Sequence, residues 1–406
     1  MAWPKTKKPR GPKSSRLYED MMRPADPELK AASWRPIATL VAFTLLMVGA
    51  SAAFFLYAQP LLGVGFLLVG VLPSVLTVVA ANAQLTRDLG PRPVPDGADE
   101  LGDLLGDTGD ELVRSLSGSL LGPELAKLEE ARTREAASTR SWLEALPDDV
   151  AFETVEATSD DRTRLVGHAL ACAPGSARWL VFAHGLDGTW RAGMTFARSF
   201  AEKGFNLLFV ELRAHGSSGG AWVGTGWLDR RDLVAWSQWV VRRAGSDARV
   251  VLMGQSMGAA AVLMASAEED LAPQVVACVS EASYADWWNL ALNRFTRTHT
   301  NPGTVRRSSP HPFLDVERLL LKSKPDGYDL TLSRPVDAIA HARVPVLLIQ
   351  DARDQTVPAH MARKLDAAAA ADHELLVVES AGHCLGAIAD PEAYFTHVLS
   401  FAERFA

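Results

Sequence analysis

The chain has 406 residues, 48% of them hydrophobic and 22% charged, with a formal net charge of −7. That balance excludes collagen-like and wholly disordered classes and leaves room for one or two folded domains. Three widely spaced cysteines, Cys172, Cys278 and Cys384, form no CxxC pair, so neither a disulfide framework nor a thiolate zinc site is indicated, and a reducing compartment fits.

The charge is unevenly distributed. Residues 1–36 hold nine Lys/Arg against four acids, so this tail carries +5 and the remaining 370 residues carry −12. The tail abuts an apolar stretch and has few aromatics, which marks a membrane-flanking segment and not a nucleic-acid surface. Between Arg35 and Arg87 no residue is charged, a window far longer than the ~20 residues that cross a hydrocarbon core. A single helix of that length would run about 75 Å at ~1.5 Å per residue. A break at Gln59-Pro60 leaves two pieces of suitable length, near Ile37–Tyr57 and Leu61–Ala81, so the expectation is a two-helix transmembrane hairpin over residues 37–85. Ala81-Asn82-Ala83 imitates a signal-peptide cleavage site, but the apolar stretch greatly exceeds a 7–15-residue h-region. Basic residues precede the first span, Arg87 and Arg92 follow the second, and the turn between has none. The positive-inside rule then places both flanks, and the bulk of the chain, in the cytoplasm.

Residues 86–147 are expected to form a linker followed by a helix. Gly90 to Gly122 is rich in Pro, Gly and Asp, whereas Pro123–Leu146 sets Leu125, Leu128, Ala131 and Trp142 among charged residues at helical spacing.

After Pro147, strand-like and helix-like stretches alternate, the pattern of a mainly parallel sheet covered by helices on both faces. Val150–Glu156 and Thr163–Leu170 read as an exposed antiparallel pair. Trp179–Ala183, Asn206–Glu211, Arg249–Met253, Val275–Val279, Val344–Ile349 and Glu374–Val378 read as strands buried on both faces. Helical patterns separate them at Met194–Lys203, Trp227–Ala244, Ala259–Glu269, Ala359–Ala371 and Pro391–Phe405. Between Tyr284 and Ala342 some sixty residues, with Trp287, Trp288, Phe295 and Phe313, exceed what a crossover needs. They are expected to form a lid.

Within this domain, Arg249–Met253 leads into Gly254-Gln255-Ser256-Met257-Gly258 and then an Ala-rich helix, a strand, a G-x-S-x-G turn and a helix in succession. This is the context of a nucleophile elbow. The turn strains the serine backbone, and glycine at 254 and 258 permits close approach of neighbouring strands and helix. It also puts the Met257 backbone N–H where an oxyanion would develop. A second formal match, Gly216–Gly220, leads into a loop and not a helix, so Ser217 and Ser218 are read as loop residues near the site mouth.

Serine alone is too weakly acidic to attack at neutral pH, so an acid and a histidine should follow it in that order. Asp354 lies just beyond Val344–Ile349, with Asp351 as a rival acid nearer the strand, and His383 lies just beyond Glu374–Val378. Both sit past strand C-terminal ends, where open α/β sheets bind ligands. The loop after Trp179–Ala183, with His184, Gly185 and Leu186, supplies a second oxyanion N–H, assigned to Leu186. His184 precedes the nucleophile and is read as a structural hydrogen-bonding residue.

These residues resemble the α/β-hydrolase superfamily, and more closely its bacterial serine-hydrolase branch of FrsA-like esterases and acyl-peptidases. The resemblance covers about Ala136 to Phe405. It rests on His184-Gly185, on Glu211–Gly220, on Gly226–Arg230, on Gly254–Gly258, on Asp354 with Val357-Pro358, and on Ala381-Gly382-His383. It implies an α/β-hydrolase domain over residues 148–406, Ser256 as nucleophile, His383 as general base, Asp354 as orienting acid, and Leu186 and Met257 as oxyanion donors. Gly254, Gln255, Gly258, His184 and Gly185 support the elbow and its loop. Gln350–Asp354 departs from the usual turn before the acid.

The expected function is a membrane-tethered serine hydrolase that cleaves an ester, thioester or amide bond through an acyl-enzyme. No cofactor or metal is called for. The expected partners are a small-molecule or lipid-like acyl substrate and the lipid bilayer, with no nucleic acid and no oligomeric state specified. A serine peptidase on short or acylated peptides, and a non-catalytic membrane-anchored binding module, are the alternative readings.

Overall fold

The computed structural model describes residues 34–56, 60–92, 122–298 and 310–406. The basic tail up to residue 33, most of the Pro/Gly/Asp-rich linker and the Arg306-Arg307 pair of the expected lid lie outside the described residues.

Helix α1 spans Trp34–Leu56 and α2 spans Pro60–Leu89. Proline at the first position of α2 is well placed, because that position has no intrahelical use for an N–H. Thr44 and Ser74 hydroxyls lie 2.7 Å apart, and Gly70 lies against Met47, so the two helices run antiparallel with small and hydroxylated residues at their crossing. Nearly all the exposed large apolar side chains among the described residues sit here, from Val41 to Val79. By length and composition Val64–Leu89 is able to cross a membrane, while the apolar core of α1, Ile37–Ala53, is shorter than that criterion.

One boundary differs from the sequence-based division. The second helix does not give way to linker at residue 86. It continues to Leu89, because Leu85 and Leu89, four residues apart on one face, are fully buried against the α/β domain. The next residues are stitched down as well. Val223 N–H donates to the Leu89 carbonyl, Arg92 N–H to Ala214 and Gly216 N–H to Arg92.

Helix α3, Gly122–Glu144, lies along the α/β domain. Its Leu128 packs with Leu385, Ile388 and Ala389, and its Glu124 pairs with Arg353.

The domain itself is built on β1 (Glu153–Thr158), β2 (Arg164–Leu170), β3 (Arg178–Ala183), β4 (Asn206–Glu211), β5 (Arg249–Gln255), β6 (Val275–Glu281), β7 (Val346–Asp351) and β8 (His373–Val378). They form one sheet in the order β1-β2-β4-β3-β5-β6-β7-β8. β1–β2 and β2–β4 pair antiparallel, and every other pair is parallel. The central parallel strands are apolar throughout because helices cover both faces: α4 (Met194–Glu202), α5 (Asp229–Ala244), α6 (Met257–Ala265), α10 (Ala359–Ala368) and α12 (Pro391–Phe405), with the short α11 (Gly386–Ala389) before the last. β3 is flanked by β4 on one side and β5 on the other. The chain order therefore reverses there, opening a crevice beyond the carboxyl ends of β3 and β5 where ligands bind in such sheets.

The long insertion forms a cap of α7 (Trp287–Thr298), α8 (Phe313–Ser323) and α9 (Pro335–Ile339). Two buried tyrosines fasten it. Tyr284 donates its hydroxyl to the Thr225 carbonyl at 2.8 Å and Tyr328 to the Val223 carbonyl at 2.7 Å. The same 223–225 segment holds the end of α2, so cap and N-terminal helix share one support.

Candidate active site

β5 ends at Gln255 and α6 begins at Met257, leaving Ser256 alone at the corner with φ 53° and ψ −113°. A residue with a side chain pays a conformational penalty in that region, of order 1–3 kcal/mol, and persists there only when its surroundings enforce it. The enforcement is visible on both sides. A Cβ on Gly254 would stand 2.4 Å from the Gly258 backbone, and one on Gly258 would stand 2.2 Å from the Ala183 carbonyl oxygen. The Ser256 N–H donates to the Glu281 carbonyl at 2.9 Å. The helix begins two residues earlier than its apolar pattern suggests. Met257 thus becomes its first residue, whose N–H has no acceptor within the helix.

Three side chains from three loops meet at this corner. His383 Nε2 lies 2.9 Å from Ser256 Oγ, and His383 Nδ1 donates to Asp354 Oδ2 at 2.6 Å. With Nδ1 carrying the proton, Nε2 is the lone-pair nitrogen that accepts from the serine hydroxyl. The other Asp354 oxygen accepts the N–H groups of Thr356 and Val357 at 2.7 and 2.8 Å. Both His383 and Asp354 are buried.

Asp351 is held apart from the histidine. Its Oδ2 accepts the Cys384 N–H at 2.7 Å. Burial, reinforced by the nearby Glu281 and Asp354 carboxylates, pushes it well above the ordinary carboxylate range, and its bond to Cys384 braces the loop that carries His383.

His184 is fully buried. Its Nδ1 donates to the Gly185 carbonyl at 2.7 Å and its Nε2 accepts the Leu212 N–H at 3.2 Å. Burial, helped by His215, lowers it to about 3, so it is a neutral clamp between the ends of β3 and β4. His215 in turn bonds the Leu186 carbonyl through Nε2. Gly185 is the residue that lets this loop reach the nucleophile: its Cβ would be 3.4 Å from that of Ser256. Leu186 follows at the rim. On its outer side, Arg92 Nε pairs with Asp187 Oδ1 at 2.9 Å.

Ser218 is occupied elsewhere. Its Oγ donates to the Glu211 carbonyl at 2.7 Å and accepts the Val166 N–H at 2.8 Å, so the second G-x-S-x-G match is a staple between a loop and the β2 edge and not a feature of the site mouth.

Sequence reasoning missed Glu281. This buried acid at the end of β6 accepts from Gln255 Nε2 at 2.9 Å, from the Tyr394 hydroxyl at 2.7 Å and from Gly386 N–H at 3.2 Å. Burial raises its pKa. It ties the elbow to the His383 loop from beneath. A lone acid closing the apolar run Val275–Ser280 was the available signal.

Residues 180–396, which hold most of β3, the elbow, the cap and the Asp354 and His383 loops, match the model of the Alpha/beta hydrolase family. Among curated proteins the chain is similar to the uncharacterized protein YfhR of Escherichia coli O157:H7, 30% identical over 152 residues covering 36% of this chain and 52% of that protein. It is likewise similar to YfhR of Escherichia coli strain K12, 34% identical over 124 residues covering 29% of this chain and 42% of that protein. The chain thus spans about half the length of the curated relatives it matches. Among solved structures it is similar to the Pyrococcus furiosus esterase Pf2001, with 20% identity, a TM-score of 0.49 and coverage of 63% of this chain and 93% of that one. It is also similar to the Pyrococcus horikoshii acylaminoacyl peptidase, with 15% identity, a TM-score of 0.46 and coverage of 66% and 43%. The family match extends over more than half of the chain and takes in the elbow and both loops that meet there, and the protein is a member of the alpha/beta hydrolase family.

Proposed function

We propose that this protein is a membrane-tethered serine hydrolase that cleaves an acyl ester, thioester or amide through a Ser256–His383–Asp354 triad. The observation that carries the proposal is the unbroken hydrogen-bonded chain from Ser256 Oγ through both nitrogens of His383 to Asp354, on a serine whose backbone is held in a strained corner. His383 takes the proton of Ser256 as the oxygen attacks the carbonyl carbon. The tetrahedral oxyanion is met by the N–H groups of Leu186 and Met257. His383 then returns the proton to the leaving group, and water repeats the sequence to release the acyl-enzyme. Asp354 fixes the imidazole tautomer throughout.

Labelling of the full chain with a fluorophosphonate probe tests this directly. Wild type and Ser218→Ala should label, and Ser256→Ala should not. A folded wild type that stays unlabelled, or a label that survives Ser256→Ala, would overturn the assignment.

The tether is α1 and α2, whose exposed apolar side chains have no counterpart elsewhere on the described surface apart from Leu332 and Val377. Basic residues on both outer flanks orient the pair with the catalytic domain in the cytoplasm. A reporter fused after Ala406 should therefore behave as cytoplasmic, and an external signal would reverse the topology.

A further inference from the structure

A cavity of about 560 Å³ lies between the last turns of α2, cap helices α7 and α8, and the loop that carries Leu186. Its walls are largely apolar, with Trp287, Trp288, Leu290, Phe295, Phe313 and Leu314 among them. Its lining includes Leu186, next to Gly185, at which a Cβ would stand 3.4 Å from that of Ser256. The side formed by the end of α2 carries Gln84, Arg87 and Asp88.

The length of α2 says where that end lies. Thirty residues run about 45 Å, against a hydrocarbon core of about 30 Å. The uncharged stretch from Leu61 to Ala81 occupies the core thickness, so the turns that border the cavity emerge at headgroup depth. The cavity then lies between the membrane surface and the loop that carries Leu186, walled in part by the anchor itself. Its volume is that of a pocket for one small ligand or chain, within the range of about 300–1,000 Å³.

Glu317 is the one acid set in the apolar wall. The residue is 5% exposed. Burial and the neighbouring Asp88 raise it to about 8, so it is protonated at neutral pH and adds no charge to the cavity. The charged groups around it, Arg87, Asp88, Arg92, Asp187 and Arg294, stand toward the rim.

We propose that this cavity binds the hydrocarbon chain of a single-tailed acyl ester or thioester that enters from the membrane surface, an inference that rests on the hydrolase reading above. The carbonyl then lies at Leu186 and Ser256, while the polar remainder of the substrate faces the arginine-bearing rim.

The test uses the full chain in phosphatidylcholine nanodiscs and a series of p-nitrophenyl esters from acetate to palmitate. In wild type, kcat/KM should rise about fourfold per added methylene, the equivalent of about 0.8 kcal/mol, until the cavity is filled. Ala291→Phe, which fills the cavity, should cut turnover of the long esters at least tenfold relative to that of acetate. Phe313→Ala, which enlarges it, should move the optimum to a longer chain. A flat chain-length profile, or a long-chain preference that both variants leave unaltered, would overturn the assignment. Binding separates this from the chemistry. Ser256→Ala protein should still bind dansyl-undecanoate, and Ala291→Phe in that background should raise Kd at least tenfold. An unchanged Kd counts against the cavity whatever the esterase assay gives, whereas absent turnover and labelling with dansyl-undecanoate still bound counts against the hydrolase reading alone.

Discussion

Asp354→Asn should lower kcat/KM for an acyl ester by about 10⁴-fold with little loss of stability, a magnitude seen where an orienting aspartate of a serine triad is made amide. The direction follows from the hydrogen bonds in hand. Asp354 Oδ1 accepts two backbone N–H groups, from Thr356 and Val357. In the asparagine variant the carbonyl oxygen must keep that place, because an amide NH₂ there would face two donors. The NH₂ is then turned toward His383 Nδ1. The imidazole answers by accepting at Nδ1 and carrying its proton on Nε2, the nitrogen 2.9 Å from Ser256 Oγ. A protonated Nε2 cannot take the serine proton. The variant is shaped like the wild type and holds the wrong tautomer.

Asp351→Asn supplies the contrast. Asp351 Oδ2 accepts the Cys384 N–H, and an asparagine carbonyl can go on accepting it, so activity should stay within about tenfold of wild type. Steady-state kinetics of the two variants on one ester measure the difference. If Asp351→Asn proved the more damaging, the orienting role would pass to Asp351.

The parts of this protein most legible in its sequence are those set by local pattern. Five of the six strands read as doubly buried are apolar runs because helices cover both faces, and a run of that kind is visible without knowing its neighbours; β8, at the sheet edge, is only half-buried and exposes Val377. The elbow is equally local: strand, two glycines and helix fall within a dozen residues. What escaped is long-range. Nothing around Leu85 and Leu89 distinguishes a helix end packed on the α/β domain from the start of a linker, since Leu85 follows Asn82 and Gln84 and Leu89 follows Arg87-Asp88. Glu281 looked like the close of a strand, and its role depends on Gln255, Tyr394 and Gly386, which lie between 26 and 113 residues away. Ser218 matched a five-residue motif, yet its partner on β2, Val166, is 52 residues distant. The cap was legible as an excess of chain, but the tyrosine bonds that fasten it to residues 223–225 were not.

Gly258→Ala should cost both stability and catalysis, because a single methyl would strike main chain in the most tightly built part of the site. Its Cβ would stand 2.2 Å from the Ala183 carbonyl oxygen and 2.6 Å from that of His184. Neither is the flexible end of a side chain, so relief requires α6 to move away from β3. Overpacking of this kind costs typically 1–3 kcal/mol and occasionally more. The catalytic consequence is separate. α6 brings Ser256 and the Met257 N–H, while the chain leaving β3 brings Gly185 and the Leu186 N–H. Parting the two widens the distance between the proposed oxyanion donors, and loss of one such donor lowers kcat by about 10²–10³. Gly258→Ala should therefore melt several degrees below wild type and, assayed well below that melting point, turn over at least a hundredfold more slowly with KM little changed. Gly65→Ala, the same substitution where a Cβ meets nothing within 4 Å, should alter neither quantity. A Gly258→Ala enzyme with wild-type kcat would show that the elbow tolerates the displacement and that the close approach of α6 to β3 serves packing alone.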